Sequence, residues 1–523
     1  MSPPINCATR KRVAIIGSGC SGIAALWALN RTYHDVYLYE AADRLGGHTN
    51  TAQWKAGRYT AAVDTGFIVL NTATYPNFLG FLEKLGVETE PAKMKFSVSR
   101  DRGVLEWVCG TTLGSVFCQR RNILSPRMWR MLFDIIRFNQ FALDLILEDD
   151  SRFVRQRNGS AKYAGSTENI GDYLNREGYS EAFRDDYLLP LIGALWSTNP
   201  AKSPLDFPAK SLVRFLWNHD LLTSIAERPQ WRILKEGSQS YVDAVMRGFP
   251  PNHLFLKTAV RHLANDDDGR VRLHLENGKT EVFDHVILAT HGDQSLSIIN
   301  PSATEQERSI LSCFQTLQVE AVLHSDPTLM PRRHKAWSSL NYLTLSSPNP
   351  RSKLGISKLS LTYDMNLLHH IPKTTFGDVF LTLNPLHQPR RDLTRGRYYY
   401  SSPQYTAASI RAQSLLRTIQ NKRNITYAGA WTGYGTHEDG FSSGLWVAQE
   451  YLGAKLPLEF KNPTDIKERR PKLGLFDHLL RFFILLIQVF VVQILERLVG
   501  SRRPIPKPAN GFANSGKLNG KAA

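Results

Sequence analysis

The chain has 523 residues, of which 42% are hydrophobic and 21% charged, a folded protein's composition that excludes a disordered or collagen-like chain. Its length accommodates two domains and a tail. The net charge of +17 calls for an acidic partner; no nucleic-acid motif accompanies it, and residues 456–523 alone carry 12 Lys/Arg against 5 Asp/Glu, so an anionic membrane surface is expected and nucleic acid is not.

In chain order, residues 1–10 read as a loose leader. Arg12–Ile16 is a short buried strand, Ser21–Asn30 a helix and Val36–Glu40 a second strand, a parallel βαβ unit of about 30 residues. No signal peptide is expected, because the first apolar run, Val13–Ile16, breaks at Gly17. Residues 76–230 hold several helical stretches. Leu254–Leu263, Val271–Leu275, Val282–Thr290, Val379–Leu383 and Ile425–Ala428 read as strands, and Gly444–Leu452 as a helix. Pro457–Pro471 is a polar, Pro-containing linker. The five cysteines, Cys7, Cys20, Cys109, Cys118 and Cys313, form neither a disulfide framework nor a zinc-ligand spacing. No metal site is expected, and a reducing compartment is.

Gly17-Ser18-Gly19-Cys20-Ser21-Gly22 stands between the first strand and its helix. Gly17 permits the tight turn, Gly19 lets backbone approach a pyrophosphate, and Gly22 lets helix and strand pack closely. The helix N-terminus offers its N–H groups and positive dipole to phosphates. Glu40, 18 residues after Gly22, is placed to accept ribose hydroxyls. NAD and FAD share this fingerprint. The segment after it, Asp43-Arg44-Leu45-Gly46-Gly47-His48, separates them: with Glu40 it resembles the E-x-x-x-R-x-G-G extension of glutathione-reductase-type flavoproteins. The cofactor expected is therefore FAD. Asp64-Thr65-Gly66 matches the D-x-G segment that such flavoproteins place near it.

Near the other end stands Tyr427-Ala-Gly429-Ala-Trp431-Thr-Gly-Tyr-Gly435-Thr-His437-Glu438-Asp439-Gly440-Phe441-Ser442. With the N-terminal motifs, it makes residues 11–455 resemble the flavin-containing amine oxidase superfamily. That group includes monoamine and polyamine oxidases, protoporphyrinogen oxidase and phytoene desaturase-like enzymes. Asp64-Thr-Gly-Phe-Ile-Val-Leu-Asn71, Tyr75-Pro-Asn-Phe, Arg228-Pro-Gln-Trp231-Arg and Leu329-Met-Pro-Arg332-Arg resemble more closely a branch of predicted NAD/FAD-binding oxidoreductases. Its bacterial members are associated with enzymes that modify membrane fatty acids. One departure is Lys235-Glu236-Gly237-Ser238, where relatives tend to carry two glycines.

The resemblance implies an α/β fold, a Rossmann-like FAD-binding domain with an inserted α+β substrate domain. Residues 11–75, 231–300 and 425–455 would form the first, and 76–230 and 301–424 the second. It implies that Val260 holds adenine, that Asp439 meets the ribityl chain or pyrophosphate, and that amides from Gly440 and Phe441 to Ser442 and Ser443 face the flavin ring. It also implies a lipid or other small-molecule substrate and leaves the electron acceptor open, oxygen included. His437 and Glu438 are the candidates for proton transfer or substrate placement; a His bonding the turn and a Glu paired with an Arg are the structural alternatives. No lysine can be assigned to the place near N5 that amine oxidases use. A true amine oxidase releasing hydrogen peroxide and a non-catalytic flavin-binding scaffold stay open as alternatives.

The second strong feature is an apolar segment, Phe482–Leu495, inside a longer helix expected over 473–499, after a linker at 456–472 and before a disordered basic tail at 500–523. Asp477, Arg481, Gln488 and Glu496 fall on one side, so an interfacial helix competes with a tilted span. Flanking Lys/Arg suit either, through anionic head groups. The catalytic domain is expected at the membrane through this helix. Pro126–Leu147 is apolar with interspersed arginines and is a second possible contact or a core helix.

Overall fold

The computed structural model describes residues 10–110, 112–147, 168–196, 204–222, 230–349, 355–463, 471 and 473–494. The leader before residue 10, the basic tail and the helix beyond Ile494 lie outside them, as do Arg228 and most of the linker. Contacts divide the chain into two units, 1–472 and 473–523.

The first unit is built around a parallel sheet whose strands run, in spatial order, Leu254–Phe255, Asp35–Tyr39, Arg12–Ile16, His285–Leu288 and Ile425–Tyr427. Both faces are covered, so its strands are near-continuous apolar runs. On one face lies the Cys20–Leu29 helix, whose Ile23, Leu26 and Trp27 share a core with Phe78, Phe81, Phe441 and Leu445. The Pro76–Leu85 helix therefore packs with the dinucleotide core. On the other face a three-stranded sheet, Val260–Asn265, Val271–Leu275 and Thr280–Phe283, buries Leu263, Leu273 and Phe283.

Two expected strands are each split. Leu254–Leu263 breaks after Phe255, where Lys257 adopts φ 49° and its amide donates to the Ala42 carbonyl, so the chain leaves the parallel sheet and restarts at Val260. Val282–Thr290 divides at Asp284, whose carboxylate accepts the Arg12 amide at 2.8 Å. The final helix starts at His437, seven residues ahead of its expected start at Gly444, because Thr436 and Asp439 close a capping box.

Besides two small sheets, of Thr51–Ala56 with Tyr59–Asp64 and of Leu70–Asn71, Trp231–Leu234 and Thr89–Pro91, the unit holds a seven-stranded sheet, in spatial order Thr394–Pro403, Thr316–His324, Phe380–Leu383, Ile356–Asp364, Leu340–Ser346, Phe96–Arg100 and Leu105–Val108. Its helical cover includes Pro126–Phe141 and Ala209–Asn218, packed through Met131, Phe138, Leu212 and Leu216. Pro126–Phe141 thus buries one face in this core and leaves Trp129 and Ile136 exposed.

The second unit is a helix, Leu475–Ile487, continued by a π-helical turn, Gln488–Val492. The Gly474 amide donates to the Asp477 carboxylate at 2.8 Å, which fixes its start. Leu475–Val492 is 18 residues, long and apolar enough to cross a membrane by length and composition.

Candidate active site

The first glycine loop is held before any cofactor enters. The Gly17 amide donates to the Tyr39 carbonyl at 2.8 Å, and Gly17 has φ 98°, a conformation that side chains disfavour. A Cβ on Gly22 would lie 2.0 Å from the Gly17 carbonyl oxygen, so only glycine lets the helix approach its strand. The Glu40 Oε2 accepts the Ser18 amide at 2.9 Å and hydroxyl at 2.6 Å, and its Oε1 accepts the Ala42 amide at 2.8 Å. A carboxylate has about four acceptor sites, so capacity for ribose hydroxyls is left. Arg44 donates to the Gly47 carbonyl at 2.7 Å and the Thr49 carbonyl at 3.2 Å, which ties down the second glycine pair.

These segments line a cavity of about 480 Å³. Gly17, Ser18, Gly19, Cys20, Ser21, Glu40, Arg44, Gly46, Gly47, His48, Val260 and His437 all reach its wall. Segments 17–48 and 429–437, far apart in sequence, meet there. Sequence reasoning missed Ala289, Thr290 and His291, which follow the His285–Leu288 strand, and Tyr399 and Tyr400, which come from the edge strand of the seven-stranded sheet. The run Tyr398-Tyr399-Tyr400 stands out in the sequence but does not say that its strand returns to this cavity. The Tyr400 hydroxyl meets Thr65 Oγ1 at 2.7 Å and accepts from Asn50 at 3.1 Å, and its ring stacks on His48 with centroids 5.1 Å apart.

Of the two residues expected to move a proton or place substrate, His437 lies on this wall. Its ring stacks on Phe67 at 3.7 Å between centroids, and its Nε2 lies 3.1 Å from the Tyr241 hydroxyl, itself 2.7 Å from Thr49 Oγ1. Burial, aided by nearby His48, pushes its pKa down to about 3; burial beside His291 and Arg44 does the same to His48. Both rings are neutral near pH 7.

Other expected residues lie behind the wall. Glu438 does not face the cavity: its carboxylate accepts the Asn77 amide at 2.9 Å and the Phe78 amide at 3.0 Å, capping the Pro76–Leu85 helix, and the Ser442 hydroxyl at 3.1 Å. Desolvation raises its pKa to about 7. The Arg-paired Glu expected as its structural alternative is thus replaced by a helix cap. Asp439 is also turned away, accepting the Thr436 amide and hydroxyl at 2.9 and 2.6 Å, with burial raising its pKa to about 6. It lines a separate cavity of about 630 Å³ with Ser442, Tyr405, Tyr434 and Trp446. Because the helix starts at His437, the Gly440 amide already bonds the Thr436 carbonyl. The amides at its open end are those of His437 and Glu438, in place of the expected 440–443 stretch. Gly440 instead gives room to the Cys20 sulfur, Phe441 is core, and a Cβ on Gly444 would lie 2.0 Å from the Ser21 carbonyl oxygen.

Asp64 and Gly66 brace the site from outside. Asp64 Oδ1 accepts the Ser238 amide at 2.7 Å and hydroxyl at 2.8 Å and the Thr51 hydroxyl at 2.6 Å. Ser238 thus contributes both its amide and its hydroxyl. Gly66 passes close under the His48 carbonyl. Trp431 donates to the Thr290 carbonyl at 2.8 Å, joining two cavity segments. Burial pushes the Cys20 thiol up to about 12, which leaves it unreactive.

The donor set fits FAD. Gly17, Gly19 and Gly47 present bare backbone to the cavity, and the Cys20–Leu29 helix begins at Gly19 with no side-chain cap, so its first amides remain for a pyrophosphate. The His437–Leu452 helix, capped by Thr436, is not so built.

A model of the family described as flavin containing amine oxidoreductase matches residues 20–322. Over 41 residues the chain is 49% identical to L-amino acid oxidase of Cerastes cerastes, a stretch covering 8% of either chain. Among solved structures, the fold is similar to a CLA-producing fatty acid isomerase from P. acnes (TM-score 0.55, 14% identity, 84% of this chain and 98% of that one). It is similar also to cyclohexylamine oxidase from Brevibacterium oxydans IH-35A (TM-score 0.57, 14% identity, 88% and 100%). The chain belongs to the flavin-containing amine oxidoreductase family and is an FAD-dependent oxidoreductase.

Proposed function

We propose that this oxidoreductase dehydrogenates an apolar, lipid-like small molecule while held at a membrane surface by its C-terminal helix. The observation that carries this reading is the helix itself: Phe476, Leu479, Phe482, Phe483, Phe490 and Val491 are exposed along it. A continuous apolar face of this kind is costly in water and is covered by a bilayer. The cavity wall supports the substrate class. His48 and His437 are neutral, Tyr400 and Trp431 are aromatic, and among the described lining residues the one carboxylate is Glu40 and none is a lysine. That wall offers no countercharge beside His437 for a protonated amine. The likeness to a fatty acid isomerase supports a fold able to accept an acyl chain.

FAD, when bound, would supply the two-electron acceptor for the substrate. Gly17–Gly22, Glu40, Arg44 and Gly46–His48 would hold its ADP half, and Val260 the adenine. His437, fixed by Phe67 and Tyr241, would orient the substrate without changing charge. Thr65 acts through Tyr400, which it holds by its hydroxyl. The likeness to cyclohexylamine oxidase favours amine oxidation as the second reading. An anaerobic absorbance titration separates the two. Bleaching of the bound flavin by lipid extract and not by a panel of amines is expected. Bleaching by amines alone would make the protein an amine oxidase, and a flavin that nothing reduces would leave a binding scaffold.

A further inference from the structure

We propose a second lipid-docking surface, on the helical cover of the seven-stranded sheet: the apolar tips Leu113, Leu124 and Trp129, bordered by Arg102, Arg120 and Arg121, seat on an anionic bilayer. Leu124 is 86% exposed, Leu113 72% and Trp129 50%. Scattered exposed leucines mean little, but these are joined. The Trp129 indole N–H donates to the Ile123 carbonyl at 2.7 Å, and its ring lies 5.1 Å from that of Phe117, at the end of the short helix Leu113–Val116. The Arg121 guanidinium donates to the Val104 carbonyl, which brings the turn between Phe96–Arg100 and Leu105–Val108 to the same patch.

The patch stands on a rigid base. Buried Gln119 donates to the Gly103 carbonyl at 2.8 Å and accepts the Glu106 amide at 3.0 Å, while buried Asn122 donates to the Glu106 carbonyl at 3.2 Å. The fold therefore holds these apolar side chains outward instead of letting them collapse. Charge selects the partner. From residue 102 to 133 there are five arginines and one acid, Glu106, which is fully buried and paired with Arg333; Arg127 and Arg130 pair with Asp186 and Asp134, so the charge of the patch is that of exposed Arg102, Arg120 and Arg121. Exposed guanidiniums beside protruding Leu and Trp match a head-group layer over an acyl interior. An acidic protein would meet the charge but leave the tips uncovered. The proposal shares the membrane with the reading above but rests on different residues.

The test uses the full chain with vesicles of phosphatidylcholine alone or with phosphatidylserine, read by flotation and by amide hydrogen exchange. We expect exchange across 112–130 to slow on phosphatidylserine vesicles. The double variant Leu113→Asp, Leu124→Asp should lose that protection and partition about tenfold less, with its flavin spectrum unchanged. A Phe482→Asp, Phe483→Asp variant tests the C-terminal helix alone; if it still protects 112–130 the docking surface stands whatever becomes of the helix. Unaltered exchange across 112–130 in the wild type with vesicles would overturn the proposal. Protection that grows with protein concentration in the absence of vesicles would also overturn it, in favour of a second copy.

Discussion

The glycine wall of the cavity and its aromatic wall are made by different means. Residues 17–47 bring backbone, one carboxylate and one guanidinium, and each is fixed by a neighbour within the same short stretch of chain: Gly17 by Tyr39, Ser18 by Glu40, Gly47 by Arg44. The aromatic wall takes His48, His291, Tyr400 and His437 from four distant stretches, each held by side chains: Thr65, Phe67 and Tyr241 among them. At Gly17, Gly22 and Gly46 an added Cβ would meet backbone oxygen at 2.7, 2.0 and 2.4 Å. Exchanging a ring leaves the glycine wall's own bonds to Tyr39, Glu40 and Arg44 in place.

The sharpest way to break this comparison is Gly22→Ala. Its Cβ would stand 2.0 Å from the Gly17 carbonyl oxygen, so the helix must move. A loss on the order of 3 kcal/mol or more is expected, seen as purified protein without flavin; full flavin content would refute the packing argument. Next comes Glu40→Ala, which deletes three bonds to Ser18 and Ala42. At roughly 1.5–3 kcal/mol for a charged hydrogen-bond partner, FAD affinity should fall ten- to a hundredfold by equilibrium dialysis, and Glu40→Gln should fall less.

Glu438 gives a pH effect of intermediate size. Its folded pKa is raised from 4.5 to about 7, so the folded state holds the proton more tightly than the unfolded chain. Its contribution is complete below the unfolded value and is lost as pH rises through about 7. The melting temperature should decline across that window, and Glu438→Gln should flatten the decline; an unchanged slope would show that the carboxyl does not titrate there. The smallest effect is expected on the aromatic wall. Tyr241→Phe removes the hydroxyl that meets both Thr49 and His437, at a cost of about 1 kcal/mol. Turnover should fall several-fold with flavin retained. Because His437 titrates near 3, no inflection between pH 5 and 8 should belong to it. An inflection near pH 6 that vanishes in His437→Asn would contradict the neutral wall.

The glycine wall was legible in the sequence because its chemistry is local. Gly17-x-Gly19-x-x-Gly22, Glu40 and Arg44-x-Gly46-Gly47 occur at spacings that one strand, one helix and one turn impose. The aromatic wall was only half legible. His437 could be named from its motif, but His291 and Tyr400 could not, since nothing in their neighbourhood says that an edge strand of another sheet returns to the cofactor cavity. Glu438 and Asp439 show the same limit from the other side. Their motif placed them beside the cavity, yet a helix rotates successive side chains by about 100°, so His437 faces the cavity while Glu438 turns to the Pro76–Leu85 helix.

The sequence by itself determined the βαβ unit, the family and its cofactor, and an apolar C-terminal helix, because backbone turns, helix periodicity and long apolar runs depend on neighbours a few residues apart. The tertiary structure alone decided which polar groups serve the cavity and which serve the scaffold. That choice depends on where the Asn77 amide, the Thr436 hydroxyl and the Ser238 amide come to rest. A buried carboxylate takes the nearest donors the packed fold supplies, and those donors come from segments up to 361 residues away.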